Sequence, residues 1–406
     1  MTSKKISFVS DRAASLQALC EFMTGVAEYG HRRNRVESGH SHVSRLSAAV
    51  RARLISEYEV AEWAQKDHTF EQVEKFVQEV YWRLYWKGWL EWHPDVWSEY
   101  EIELSRIRAT LTDAHRRAWD RVEQGESGVK IMDRFAQELV ATGYLHNHAR
   151  MWFAGYWIHV CGLPWQLGAD FFYRHLLDAD PASNTLSWRW VAGLQTQGKT
   201  YLPRAGNIRK YCSYPEAGDR RLEEQLMVLP AGEVTYSKPQ RNEAWQRTEV
   251  PSLHDPYLLW IHGEDLSFWE HEINLPEMEP VAAVMVRDPA MTADYAISPS
   301  RVQFMQHAMH DAKHRWEVTR SPQVVEATGS IIESIVHAAK SRQVAVVAGM
   351  LPAVGPLRNL VPELERELQA QGIRLVLWRR PQDETILPLA QKGFFPFWKS
   401  VRAQLV

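Results

Sequence analysis

The sequence predicts two architectures in one chain: an all-helical domain first, then a Rossmann-like parallel α/β domain. Three observations carry this. Residues 1–215 read as almost wholly helical. Residues 216–280 are rich in Pro, Glu and Arg and short of periodicity, so they read as a connecting segment. From residue 281 apolar strand-like runs alternate with helical patterns to the end of the chain at 406, which implies a parallel sheet with right-handed crossovers.

In chain order, Ser10 and Asp11 are placed to cap a helix through Leu16, Leu19, Phe22 and Met23. A polar, basic run follows, Tyr29 to His42, and it feeds VSRLSAAVRARLIS at 43–56. Two readings of that stretch compete. One is a phosphate cradle built on free N–H groups. The other is an ordinary N-cap with a solvated arginine face. In 70–92, Glu79, Trp82, Arg83 and Trp86 share one helical face. Glu79 and Arg83 read either as a surface ion pair or as pocket residues.

The helix within 129–160 carries Asn147, Arg150, Met151 and Ala154 on one side. A short helix at 169–177 ends in Asp178-Ala179-Asp180-Pro181, a strong local break. A metal is one reading of its two carboxylates, but no further ligand stands near at metal spacing. In 216–280, Tyr257 to Trp260 reads as an apolar clip. Strands are expected at 281–286, 344–348 and 373–378, with helices at 298–314 and 356–371. No GxGxxG is present, so the dinucleotide fingerprint is missing.

Composition excludes more than it assigns. Hydrophobic residues at 45% and charged residues at 24% are ordinary for a globular protein. Lys and Arg number 47 against 50 Asp and Glu, so net charge gives no sign of nucleic acid. Cys20, Cys161 and Cys212 form no CxxC, which argues against a disulfide framework, a zinc site and a cysteine-ligated cluster. The N-terminus shows no signal-peptide pattern and no apolar run reaches membrane length, so a reduced cytoplasmic protein is expected. The 18 tryptophans exceed what core filling calls for and suggest stacking surfaces or electron relays.

The densest stretch is Tyr144 to Tyr211. It sets Asn147, Arg150, Asp178, Asp180 and Asn184 among Trp152, Trp157, Trp165, Trp188 and Trp190. Buried polar groups need partners. A large ligand with an aromatic ring and polar edges, such as a flavin, meets that need.

Four motifs in register resemble the DNA photolyase and cryptochrome family over most of 29–211. VSRLSAAVRARLIS is similar to TSRLSPYLxxGxIS, and FVQEVYWRLYW at 76–86 to WxxELxWREF. TGYLHNHARM at 142–151 is similar to TGWMHNRxRM, and DADPASNTLSWRW at 178–190 to DGDxAxNxGGWQW. The resemblance implies an FAD cofactor. Ser44, Arg45, Leu46 and Ser47 would hold its phosphates, with Arg83 near them and Tyr29 in contact. Asn147, Arg150, Asp178, Asp180 and Asn184 would surround the flavin and its ribityl chain, with Arg150 paired to Asp178. Glu79, Trp82, Asn147, Met151 and Trp190 match the pocket for a flipped cyclobutane pyrimidine dimer. Trp188 and Trp165 match the first two members of the photoreduction chain. Trp152, Trp157 and Trp119 are candidates for the third.

Light-driven repair of damaged DNA, a carbon–carbon lyase activity, is therefore the first expectation. A blue-light photoreceptor of the cryptochrome kind is the alternative. The expected partner is dimer-bearing DNA, with no membrane and a monomeric chain. Departures are His148 for an Arg that touches the lesion, Val43 for Thr, and Ala48 and Ala49 for Pro-Tyr. Asn147 and Met151 stand where the (6-4) branch has a His pair, which favours the cyclobutane branch. The family places its α/β antenna domain first. Here VMVRD at 284–288 and KGFFPFWKS at 392–400 resemble that domain at the other end, which implies a circular permutation. A second, antenna chromophore of unspecified identity is the further implication. A DNA-binding protein should gather Arg32, Arg33, Arg35, Arg51, Arg189, Lys199, Arg204 and Lys210 on one basic face; scattered positions favour the sensor.

Overall fold

The computed structural model describes residues 8–196, 200–229, 238–267, 276, 278–320 and 322–405. The first half is helical. Its helices are α1 (Arg12–Met23), α2 (Tyr29–Arg32), α3 (Ser47–Arg51), α4 (Glu57–Lys66), α5 (Phe70–Trp92) and α6 (Asp95–Thr110). They continue as α7 (Asp113–Glu123), α8 (Lys130–Thr142), α9 (Asn147–Gly155), α10 (Trp165–His175), α11 (Pro181–Val191), α12 (Ala205–Tyr211) and α13 (Leu222–Gln225). Caps set several starts. Asp11 accepts from Ala14 N at 2.7 Å, as its sequence position predicts. Ser56 with Glu59, and Thr69 with Gln72, form capping boxes for α4 and α5. The helix expected at 169–177 begins earlier, at Trp165, because Pro164 ends the preceding segment.

The second half is a five-stranded sheet with helices on both faces. The strands are β1 (Tyr257–Ile261), β2 (Ala282–Arg287), β3 (Val324–Thr328), β4 (Val346–Met350) and β5 (Arg374–Trp378). The helices are α14 (Pro289–Asp294), α15 (Pro299–Thr319), α16 (Ile331–Ser341), α17 (Pro356–Gln369), α18 (Pro381–Ile386) and α19 (Phe394–Leu405). Every pairing is parallel and the order is β3-β2-β1-β4-β5. The central strand is therefore β1, which lies in the stretch expected to connect the two domains. Tyr257 to Trp260 is no surface clip. All five residues of β1 are buried, so the strand shows no alternation and reads only as a short apolar run. The strand β3 was also unexpected from sequence. It is an edge strand with polar residues on one side.

One continuous core runs through both halves, from Leu19 and Trp152 to Ile261 and Trp316. A second, smaller core covers the other face of the sheet with Leu258, Trp260, Ile335 and Leu364. Each fully buried large apolar side chain contributes about 1.5–3 kcal/mol. Between the halves lies a dense charge network. Arg53 donates to Asp383 at 2.8 Å through both terminal nitrogens and to Asp265 at 3.1 Å. Arg380 donates to the same Asp265, and Arg379 to Glu91 of α5 at 2.8 Å. All these groups are buried or nearly so.

Candidate functional site

The site is built around the turn between α10 and α11. Asp180 caps α11, accepting from Ser183 N at 2.8 Å, and Pro181 fills the first helical position. Asp178 is buried and accepts from Arg150 Nη2 of α9 at 2.8 Å. Burial works to raise the Asp178 carboxyl, but Arg150 and Arg83 hold it below the usual carboxylate range. Arg83 of α5 pairs with Asp180 and donates to Asp178 O at 3.4 Å. Both carboxylates are thus engaged by arginines. Among the described residues no group of three His, Cys, Asp or Glu side chains is placed to hold a metal ion.

Three buried polar atoms at this turn have no hydrogen-bond partner: Asp178 Oδ1, Ser183 Oγ and Thr185 Oγ1. Such atoms fit a site that takes a polar ligand such as FAD. Asn184 is buried and its Nδ2 donates to Ala169 O at 2.7 Å.

The loop Ser44–Ser47 abuts this turn, and the Ser47 hydroxyl lies beside the Asp178 carboxylate. Arg45 is exposed and left-handed, with φ 57°, a strained conformation for a side-chain-bearing residue. Leu46 is buried and its N–H donates to Ser44 Oγ at 3.4 Å. Of the arginines in 43–56 only Arg45 is solvated, since Arg51 and Arg53 both turn inward and are buried. Tyr29, at the start of α2, meets the rings of Phe22 and Phe76 edge-on. Burial, then Glu79, pushes its hydroxyl pKa upward.

One turn before Arg83, Glu79 accepts from Arg33. Glu79 and Arg83 therefore do not pair with each other, because each has a partner on a different loop. Burial raises the Glu79 pKa, with Arg33 opposing. Trp82 is half-buried, and its ring stacks on Phe394 of α19 at 3.6 Å with planes 6° apart. Asn147 is exposed at the start of α9, and Met151 and Trp190 are half-buried. Trp190 packs near Tyr201, ring centres 5.8 Å apart. The helices that carry them meet, since α11 packs on both α5 and α9. His148 stacks on Trp152 at 4.3 Å and its Nδ1 lies 3.0 Å from Asn34 O.

Among the tryptophans, Trp188 is buried and packs against Phe172 at 5.0 Å and Trp157 at 6.1 Å. Of the three candidates for an additional relay member, Trp157 is the one whose ring adjoins Trp188. Trp152 stacks on His148 instead, and Trp119 donates to Glu123. Trp165 stacks on Tyr100 at 5.6 Å. Gly168 makes room for Trp188, since a Cβ there would stand 2.3 Å from the indole.

The eight basic residues do not form one face. Arg51 and Arg189 are buried, Arg33 is half-buried on Glu79, and Lys199 lies outside the described residues. Arg32, Arg35, Arg204 and Lys210 are exposed. Their two stretches are tied by backbone bonds, Val36 N to Tyr211 O at 2.8 Å and Ser213 N to Val36 O at 2.9 Å.

In an open α/β sheet a ligand is expected where the strand order reverses, here at the carboxyl ends of β1 and β4. That crevice is lined by Arg53, Lys87, His262, Asp265, Met350 and Asp383 and holds about 40 Å³. This is room for water, not for a chromophore ring. A second chromophore does not fit there. Among the described residues no helix is long and apolar enough to cross a membrane.

Sequence reasoning missed Gly168 and the roles of Phe394 against Trp82 and of Arg33 against Glu79. Phe394 stands 312 positions from Trp82, and no local pattern links them.

Residues 76–220 match the family model described as the FAD-binding domain of DNA photolyase. A deoxyribodipyrimidine photo-lyase of Streptomyces griseus is 32% identical over 149 residues, 34% of this chain and 32% of that protein. Cryptochrome-1 of Arabidopsis thaliana is 28% identical over 190 residues, 44% of this chain and 27% of its own length. A bacterial class III photolyase from Agrobacterium tumefaciens aligns in structure with TM-score 0.41 and 23% identity, covering 50% of this chain and 42% of that one. The chain thus spans less than half the length of each of these relatives. Within the helical half, residues 76–220 thus match the FAD-binding domain of DNA photolyase, and over this part the chain is similar to photolyases and cryptochromes.

Proposed function

We propose that the protein repairs cyclobutane pyrimidine dimers in DNA by light-driven electron transfer. The observation that carries this reading is the double role of α5. Arg83 reaches the Asp180 turn, where FAD is expected, and Glu79, one turn earlier, is held at the end of Arg33. A single rigid helix would thus set the distance from cofactor to lesion.

FAD, when bound and reduced, supplies the photoexcited electron that opens the cyclobutane ring and is returned afterwards. The chain's own part is binding, orientation and charge. Ser44, Arg45, Leu46 and Ser47 would contact the phosphates, with Tyr29 against the cofactor. Asn147, Arg150, Asp178, Asp180 and Asn184 would line the flavin. Trp82 and Trp190 would stack on the two pyrimidines of the flipped lesion, with Met151 and Asn147 closing the pocket. Glu79 would hydrogen-bond the lesion, held in place by Arg33. Trp188 and Trp165 would carry electrons inward, with Trp157 as the buried neighbour of Trp188. The order of the two halves is read as a circular permutation of the family's usual order.

The test is a repair assay on an oligonucleotide with one defined thymine dimer, using reduced protein in blue light. Light-dependent loss of the dimer is expected. A flavin that bleaches in light without repair would move the assignment to the photoreceptor. That second reading is favoured by one observation, the burial of Arg51 and Arg189, which leaves a smaller basic surface than the sequence suggests.

A further inference from the structure

Two buried arginines beside the Asp178–Asp180 turn, Arg51 and Arg301, form no ion pair among the described residues. Arg51 Nε donates to Ala179 O at 3.2 Å and its Nη1 to Gly263 O at 3.0 Å. Arg301, from α15 of the α/β half, donates through Nη2 to the same Ala179 O at 3.0 Å and through Nη1 to Tyr173 O. All four acceptor contacts are backbone carbonyls. Arg301 also lies over the Tyr173 ring, 4.5 Å from its centre. Neither arginine forms an ion pair among the described residues.

The neighbouring acids are already engaged. Asp178 is paired with Arg150 and Asp180 with Arg83. Arg51, Arg83, Arg150 and Arg301 therefore make four guanidiniums against two carboxylates. A third acid, Glu264, is half-exposed and accepts from Ala353 N at 2.9 Å, and counting it still leaves one positive charge in excess. Burying a charge without a partner costs several kcal/mol. Two such cations converging on one carbonyl need an offset that the described residues do not supply.

We propose that Arg51 and Arg301 are the countercharge for the diphosphate of FAD, so that the α/β half contributes directly to the cofactor site. This rests on the reading of the helical half as an FAD-binding domain. The diphosphate is favoured over the flavin ring because Arg51 lies one turn along α3 from Ser47. Arg301 also explains why α15 is docked where it is. Its helix cap Ser298 donates its N–H to Arg174 O at 2.9 Å, and the guanidinium then reaches the turn between the two aspartates. Both arginines act by position and charge, with no part in the electron transfer itself.

The test uses the full-length protein stripped of flavin. Thermal shifts are measured with ADP, which carries the diphosphate, and with riboflavin, which lacks it. Arg51→Gln and Arg301→Gln keep a donor for Ala179 O while removing the charge. Each variant is expected to lose the ADP-induced shift, to keep the riboflavin shift, and to bind FAD about tenfold more weakly. Arg301→Lys is expected to recover most of the affinity. If Arg301→Gln fails to fold, Arg51→Gln decides. Variants that bind ADP and FAD as tightly as the parent overturn the proposal. So does an equal loss of both shifts, which would mark a purely structural role. If the parent protein itself binds neither FAD nor riboflavin, the flavin-domain reading has failed instead.

Discussion

Arg150 and Asp178 meet at 2.8 Å, joining α9 to the turn before α11 across 28 residues. The arginine is further fixed by its Nε, which donates to Leu145 O at 2.7 Å. The carboxylate keeps one oxygen, Oδ1, with no partner. A fixed pair that leaves one buried oxygen unpartnered fits a site that takes a polar ligand.

Replacing Asp178 by Asn tests that pair. The change leaves Arg150 without its charge partner in a buried place, and breaking such a pair costs about 3–5 kcal/mol. We expect protein purified as Asp178→Asn to carry little flavin and to melt at lower temperature. Absorbance near the flavin bands against total protein gives the first quantity, and calorimetry the second. Full flavin occupancy would rule out a role for Asp178 at the cofactor.

Glu79 should behave in the opposite way. Burial raises its pKa above the usual value, with Arg33 only partly opposing. A raised carboxyl pKa means the folded state holds the proton more tightly than the unfolded chain. Its stability contribution is full at low pH and is lost as pH rises through the folded pKa. At neutral pH the ionised Glu79 is therefore a cost, and Glu79→Gln should raise the melting temperature. Repair should fall about a hundredfold, since one charge-stabilising contact in the pocket is gone. A variant that is both less stable and fully active would contradict both halves of this expectation.

The two halves of the chain were unequally legible in the sequence. Asp11 and the Asp178–Asp180 turn could be anticipated because caps and turns are local, and the Arg150–Asp178 pairing because the resemblance of the motifs implied it. The central strand Tyr257–Ile261 could not. Buried on both faces, it shows no alternation, and its polar surroundings look like a linker. Partners of charged residues were hidden for a different reason. Arg53 meets Asp383 from 330 positions away, and Arg51 turns from solvent to Ala179. Nothing in a local window distinguishes a solvated arginine from one that closes a domain interface.

That interface supplies a stability prediction. Arg53 serves Glu57, Asp265 and Asp383 at once, and Tyr58 also donates to Asp383 at 2.8 Å. Burial works against the Glu57 carboxylate, but Arg53 and Lys87 bring its pKa down to about 2. Because this pKa is lowered, the stabilisation is present above pH 4.5 and is lost as pH falls toward 2. Asp383→Asn should cost about 3–5 kcal/mol by leaving Arg53 short of a partner. Chemical denaturation at pH 7 measures the loss in the variant, and the parent itself should weaken as pH falls toward 2.

The relay tryptophan offers a steric test. Gly168 of α10 lies under Trp188, and an added Cβ would stand 2.3 Å from one indole carbon and 2.4 Å from the next. Neither α10 nor the indole can yield easily, since Trp188 is also held by Phe172 at 5.0 Å and Trp157 at 6.1 Å. Overpacking of this kind costs about 1–3 kcal/mol. Gly168→Ala should therefore lower stability by that amount and shift the indole away from its neighbours. If Trp188 passes electrons toward the cofactor, photoreduction in the variant should slow, while binding of FAD in the dark stays within about twofold because the Asp178 turn is untouched. Transient absorption after a blue flash measures the first and fluorescence titration the second. Unchanged photoreduction in a destabilised variant would remove Trp188 from the route and leave it a packing residue.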